Sequence, residues 1–263
     1  MKIQLLSDLH LETHPNWRAT PAPGADVLVL AGDIGSYQPG HQMADEDFGL
    51  RTFSPLAGWP TPVIFVPGNH EYDTMDFDAA HIRLRATCER LGMVWLERES
   101  FVSPWADRAG RALRFVGTTL WTDFAALDAP EKAFRAANYY LKKTGTTRGG
   151  EPFLAPQLRE QALQCQDWLR AELAKPFDGA TVVITHFAPS LKSADPRYGM
   201  TPGTAGFCNN LDDLLPQADL WLHGHLHAPS DYLAAGCHVV ANPLGYARKN
   251  EQLNFLAAQC IEI

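Results

Sequence analysis

Short apolar runs recur along the chain at residues 3–7, 27–31, 63–66, 113–120, 182–185, 220–222, 239–241 and 255–261, each bounded by polar or turn-forming residues. Runs of that length predict strands. Several are apolar at successive positions, the pattern of strands covered on both faces, and this implies a layered interior. A different rhythm governs 158–173, where Leu158, Ala162, Cys165, Leu169 and Leu173 step by four, three, four and four residues and mark one face of a helix. Residues 73–91 and 210–215 give weaker helical patterns, the second with Asn209 or Asn210 as its N-cap. Strands alternating with helices predict an α/β fold.

Two stretches break this rhythm. Within 123–156, Tyr139, Tyr140, Lys142, Lys143, Arg148 and the Gly149-Gly150 pair crowd together, and 190–207 holds four Gly or Pro residues between Pro196 and Gly203. Long irregular segments in a compact domain are usually functional, so both read as substrate-side loops or caps of a single domain over 1–263. Hydrophobic residues make up 46% and charged residues 20%, enough for a sizeable core. The formal charge of −8 disfavours long nucleic acid as a partner. Cys88, Cys165, Cys208, Cys237 and Cys260 are dispersed and include no Cys-x-x-Cys pair, so neither a disulfide framework nor a cysteine zinc site is indicated. Asp8 comes too early for a signal peptide, and no run approaches the roughly 18 apolar residues of a membrane span. A cytoplasmic protein that does not associate with membrane is therefore expected.

Several predicted strands end in residues able to hold a metal, often beside glycine: Asp8-Leu9-His10, Gly32-Asp33, Gly68-Asn69-His70-Glu71, His186 and His223-Gly224-His225-Leu226-His227. In open α/β sheets ligands bind beyond the carboxyl ends of the strands, so five such clusters can converge on one site. Two carboxylates, one amide oxygen and four imidazoles are about what two cations need if one carboxylate bridges them. Mixed nitrogen and oxygen donors suit manganese, iron, zinc, cobalt or nickel. Glycine at these turns would keep Cβ atoms out of a crowded centre.

Each cluster alone has an ordinary explanation. Asp-x-His and Gly-Asp are common in solvated turns, Asn tolerates the left-handed region after Pro67-Gly68, and a lone His186 or His223 is more often a hydrogen-bonded strand histidine. Asp8 and Asp33, however, follow buried-looking strands where an unpaired carboxylate is costly. The ordered set of five outweighs the separate explanations.

Taken in order, these five blocks resemble those of the calcineurin-like metallophosphoesterases, and the strings Ser7-Asp8-Leu9-His10-Leu11-Glu12 and Thr185-His186-Phe187-Ala188-Pro189-Ser190 resemble a group of small bacterial members. The resemblance runs over 3–246. It implies a four-layer αββα sandwich of two mixed sheets flanked by helices, with two divalent or trivalent metal ions at one end. One ion would take the residues matching Asp8, His10, Asp33 and His227, the other those matching Asp33, Asn69, His186 and His225, with Asp33 bridging. The residue matching His70 would lie beside the substrate phosphate and stabilise the transition state or protonate the leaving oxygen. Two cations about 3.5 to 4 Å apart hold a bridging hydroxide as nucleophile and bind phosphoryl oxygens as charge develops. Glu71 or a backbone carbonyl could hold His70 in the required tautomer, and His223 could orient a ligand.

Such a centre recognises only a phosphoryl group, which leaves substrate choice to the loops. Trp121, Asn138, Tyr139, Arg148, Arg197, Tyr198 and Phe207 are candidates, together with Asn69 and His70 at the centre. Because His70 can protonate a poor leaving group, a small phosphodiester is the expected substrate. A phosphomonoester or phosphoprotein is the alternative. A scaffold built on an inactive fold would have lost one of these positions, and an oxygen-activating di-iron protein would not account for Asn69-His70. His14, His41, His81 and His238 lie outside the blocks and read as structural or exposed.

Overall fold

The computed structural model describes residues 1–43 and 46–263. In chain order the elements are β1 (Lys2–Leu6), β2 (Val27–Ala31), β3 (Val63–Val66), α1 (Phe77–Leu91), β4 (Val94–Trp95), β5 (Glu99–Ala106) and β6 (Ala112–Thr118). There follow α2 (Pro130–Thr144), β7 (Thr147–Arg148), β8 (Glu151–Pro152), α3 (Ala155–Leu173), β9 (Ala180–Thr185), β10 (Leu220–His223), β11 (Ser230–Ala234), β12 (Cys237–Ala241) and β13 (Cys260–Glu262). One sheet has the order β13-β1-β2-β3-β4, the other β11-β12-β10-β9-β6-β5. Both are mixed: β1 to β4 run parallel with β13 antiparallel, and the parallel set β12-β10-β9-β6 carries antiparallel β11 and β5 at its edges.

The apolar runs are continuous because each strand serves two cores. Side chains alternate across a strand, so Ile3, Leu5, Val27, Val29, Ile64, Val66, Val182, Ile184, Leu220 and Leu222 fill one cluster, joined by Leu113 and Phe115. Their neighbours Leu28, Leu30, Val63 and Phe65 belong to a second cluster with Phe77, Ala80, Leu84 and Cys88 of α1, and Val116, Val183 and Trp221 to the same cluster with Leu158, Ala162, Cys165 and Leu169 of α3. The first cluster lies between the sheets and the second under the helices, which gives the expected αββα layers. Among the described residues no helix is long and apolar enough to cross a membrane.

Several local expectations need correction. The helix expected from 73 begins at Phe77, because Asp76 accepts hydrogen bonds from the Asp78 and Ala79 amides as its N-cap and Gly92 closes the other end at φ 71°. Residues 210–215 form turns leading into a 3-10 segment, Leu215–Gln217, rather than an α-helix. The last strand is confined to Cys260–Glu262. Most of 123–156 is ordered secondary structure: α2 and the hairpin β7-β8. Its apolar rhythm is weak because α2 fully buries only Ala133. Strands β5 and β11 escaped notice because they are sheet edges with alternating exposure.

Glu97, just before β5, is buried against the Thr119 amide, Thr118 Oγ at 3.3 Å and Arg98 at 3.4 Å. Burial outweighs these partners and raises its pKa above the ordinary 4.5. Above about pH 4.5 the unfolded chain releases this proton while the folded chain keeps it, so folding stability from this group falls as pH rises toward the folded value, by at most about 1.4 kcal/mol per pH unit. Urea unfolding of the protein and of Glu97→Gln at about pH 5 and about pH 7.5 should show the parent losing ground to the variant at the higher pH. A difference that stays constant or moves the other way would contradict a Glu97 carboxyl whose pKa burial raises.

Candidate metal centre

The carboxyl ends of the parallel strands are stitched into one crevice by backbone hydrogen bonds. Asp8 and His10 amides donate to Gly32 and Asp33 carbonyls, the Gly224 amide to His186, and the Leu244 and Gly245 amides to Ser7 and Asp8. These loops turn sharply. Asp8, His10, Asp33, His225 and His227 all have φ between 45° and 72°, a region L residues seldom occupy. Strain gathered on five neighbouring candidate residues is a mark of a functional site. Glycine is required at two close approaches: a Cβ on Gly68 would sit 2.2 Å from Asp33 Oδ1, and one on Gly224 2.6 Å from Asp8 Oδ2.

All seven residues expected as metal ligands meet here. Donor atoms of Asp8, His10, Asp33 and His227 lie within 4.8 Å of one another, as do those of Asp33, His186 and His225, so Asp33 belongs to both groups. Asn69 Oδ1 stands 3.2 Å from His186 Nε2. His10 Nε2 faces His227 Nε2 at 3.0 Å, and His225 Nδ1 faces His186 Nε2 at 3.2 Å. Asp33 Oδ2 is fully buried and accepts no well-aligned hydrogen bond among the described residues, although His186 Nε2 and His10 Nε2 lie 3.2 and 4.0 Å away. A buried carboxylate oxygen without a donor, ringed by imidazole nitrogens, fits divalent cation binding.

The electrostatics agree with that reading. Burial, with the charges of neighbouring histidines, holds His10 and His225 well below the usual histidine value, so both offer neutral nitrogen donors. Burial opposes charge on His186 and His227 too, but Asp33 beside the first and Asp8 and Glu251 beside the second lift each to about 9. A cation would replace those protons as the counter-charge of Asp8 and Asp33.

Carboxylates the sequence reading passed over orient the rings. Glu12 Oε1 meets His10 Nδ1 at 2.9 Å, Glu251 Oε2 meets His227 Nδ1 at 2.7 Å, and the Ala31 carbonyl meets His186 Nδ1 at 2.8 Å. In each case Nε2 is left for the centre. His70 Nδ1 is 2.6 Å from Asp73 Oδ2, which also accepts from Ser36 Oγ at 2.8 Å. Burial opposes a charge on His70, but Asp73 and Asp33 outweigh it and hold its pKa well above the usual value. Tyr246 stacks on His10 with ring centroids 4.3 Å apart, and Phe187 on His225 at 3.8 Å. Acids two and three residues beyond a cluster histidine were the available signal for Glu12 and Asp73. Glu251 and Tyr246 left none.

The remaining candidates scatter. Glu71 does not touch the His70 ring: its carboxylate accepts the amides of Ile34 and Gly68 at 2.6 Å and of Asp33 at 3.1 Å, clamping two loops. His223 Nε2 meets Ser193 Oγ at 2.9 Å and ties the 190–207 segment to β10, while its Nδ1 meets the Gly224 carbonyl at 3.0 Å, on the backbone just before His225. Trp121 is buried among Tyr72, Phe77, Phe153 and Phe187, and Arg148 pairs with Asp78. Asn138 accepts the Ala155 amide at the start of α3, and Arg197 pairs with Asp195. Tyr139 and Tyr198 are exposed. Phe207 alone of the loop candidates has its ring against the centre, 5.3 Å from His225.

The family model described as calcineurin-like phosphoesterase matches residues 1–229. An uncharacterized protein of Acanthamoeba polyphaga mimivirus is 24% identical over 277 residues, spanning 96% of this chain and 94% of that protein. Among solved structures, a phosphopantetheinyl hydrolase from Mycobacterium tuberculosis superposes with a TM-score of 0.72 at 20% identity, over 100% of this chain and 95% of that one, a likeness of fold.

Proposed function

This chain belongs to the calcineurin-like phosphoesterase family, and from that premise we propose that it hydrolyses a small phosphodiester group at a centre of two metal ions. Family and buried His/Asp cluster together indicate metal-dependent phosphoester hydrolysis. In the proposed arrangement Asp8, His10, Asp33 and His227 hold one ion and Asp33, Asn69, His186 and His225 the other. When bound, such ions lower the pKa of water and neutralise charge developing on phosphoryl oxygens.

The chain's own groups do the rest. Glu12 and Glu251 fix the rings of His10 and His227 with Nε2 inward. Asp73 takes Nδ1–H of His70 and favours its protonated form, leaving Nε2–H for the substrate. In the proposed reaction a water oxygen bonds to phosphorus and gives up a proton to solvent, while Nε2–H hydrogen-bonds the ester oxygen and delivers its proton to that oxygen as the ester P–O bond breaks. An alkoxide leaving group needs this proton far more than a phenoxide does. The whole chain acts as one domain, and the 123–156 and 190–207 segments form the substrate side.

The observation that carries the diester reading is the His70–Asp73 contact at 2.6 Å beside the donor cluster. Its test is turnover of an aryl phosphodiester and the matching monoester by metal-stripped protein reloaded with manganese, iron, zinc, cobalt or nickel, with metal per chain measured alongside. The mycobacterial neighbour makes a phosphopantetheinyl ester a natural addition to the panel. The expected result is metal-dependent turnover with kcat/KM at least about tenfold higher for the diester, a difference of about 1.4 kcal/mol in transition-state binding. A monoester preference would turn the reading to a phosphatase, and metal-loaded protein that cleaves neither ester would overturn it.

A further inference from the structure

Most lysines and arginines of this acidic chain face a carboxylate, as Arg85, Arg108, Arg148, Arg170 and Arg197 do. Helix α2 is different. Its Lys132, Arg135, Lys142 and Lys143 are exposed, and none has a carboxylate partner among the described residues. With Tyr139 they step by three, four, three and one residues, so they share one face. The opposite face carries Ala133, Phe134, Ala137 and Leu141 into the core, Phe134 against Phe124 at 5.0 Å. The helix dipole accounts for cations at Lys142 and Lys143 in the last turn but disfavours one at Lys132 in the first.

The position of this face gives it meaning. The C-terminal end of α2 is bound to the loop of His70 and Asp73, because the Thr74 amide donates to the Thr144 carbonyl at 2.8 Å. Its body packs against the turn Pro202–Gly206, which leads directly to Phe207 beside His225. Arg135, Asn138, Tyr139, Lys142 and Lys143 line a shallow depression of about 540 Å³. Tyr139 and Tyr140 are 62% and 63% exposed, and Lys143 Nζ lies 4.0 Å from the Tyr139 ring centre.

We propose that this face of α2 docks an acidic helix of a partner protein, which presents a phosphodiester group attached to it to the adjacent centre. The stripe from Lys132 to Lys143 is about 16 Å long, several turns of helix and far more than one phosphate needs. Long nucleic acid fits less well: a duplex carries one charge per roughly 1.7 Å and would run on past the stripe over a chain of net charge −8. An acidic helix confines its charge to the stripe, and exposed tyrosines are favoured anchors in protein interfaces. The presentation of the ester rests on the phosphodiesterase reading, whereas the docking does not.

The test uses helical peptides of about fifteen residues with glutamates either on one face or scrambled, labelled for anisotropy and also prepared with an alkyl phosphodiester on a terminal serine. The face-patterned peptide should bind at least about tenfold more tightly than the scrambled one and lose that advantage with added salt. Lys142→Glu/Lys143→Glu should erase the advantage, in both binding and KM for the peptide diester, while Lys142→Arg/Lys143→Arg retains it. Both variants should keep the parent's metal content per chain and Tm, which reports that the fold and the centre are intact. Equal binding of patterned and scrambled peptides, or tighter binding of an oligothymidylate of equal charge, would overturn the proposal. Absence of aryl diester turnover by the parent protein would instead count against the phosphodiesterase reading and leave the anisotropy result to decide docking.

Discussion

Asp33→Asn is expected to remove bound metal and turnover together, with kcat/KM falling at least about a thousandfold, a loss of about 4 kcal/mol in transition-state stabilisation. Asp33 belongs to both donor groups, and its Oδ2 is buried without a well-aligned donor among the described residues. The amide keeps the shape and retains an oxygen for the His70 amide, which donates to Oδ1 at 2.8 Å. It gives up the charge that cations require. Metal per chain, measured after dialysis, should fall, and the increase in Tm that metal gives the parent protein should shrink, because a ligand that binds the folded state stabilises it in proportion to its affinity. Full activity of Asp33→Asn with unchanged metal content would overturn the assignment of the centre.

His70→Ala should separate the two losses. The His70 ring is in neither donor group and is anchored by Asp73, so metal content should match the parent. Turnover of an alkyl diester should fall by about 10²- to 10⁴-fold, the usual range for a lost general acid. An aryl diester, whose leaving group departs without a proton, should suffer much less. Asp73→Asn should follow the same leaving-group dependence with a smaller loss, about tenfold, because the imidazole is still present but no longer held as its acid. Equal losses on alkyl and aryl esters, or loss of metal from His70→Ala, would remove His70 from the role of proton donor.

These expectations rest on residues of two kinds. Asp8, His10, Asp33, Asn69, His70, His186, His225 and His227 could be found along the chain because each directly follows an apolar run or closes one of the ordered blocks. A strand buried on both faces has to be apolar at consecutive positions, and its carboxyl end has to leave the core, so the change from apolar to metal-capable residues is written locally. Where an element is half exposed, the signal fades. Helix α2 fully buries one residue, and the edge strands β5 and β11 alternate between core and solvent.

Contacts across the crevice have no local signature. Glu251 reaches His227 across 24 positions, and Tyr246 covers His10 from the far end of the chain. Glu71, beside His70 in sequence, turns away to hold backbone amides, and Asp73 takes the role expected of it. The basic stripe of α2 was visible as crowded lysines and tyrosines, but its lack of carboxylate partners among the described residues and its place beside the His70 loop depend on what packs around it. Burial periodicity is a property of neighbours along the chain and therefore specifies the layers and the residues at their ends. Which carboxylate steadies which imidazole is decided only when the two sheets close on each other, since donor and acceptor meet through folding and not through spacing.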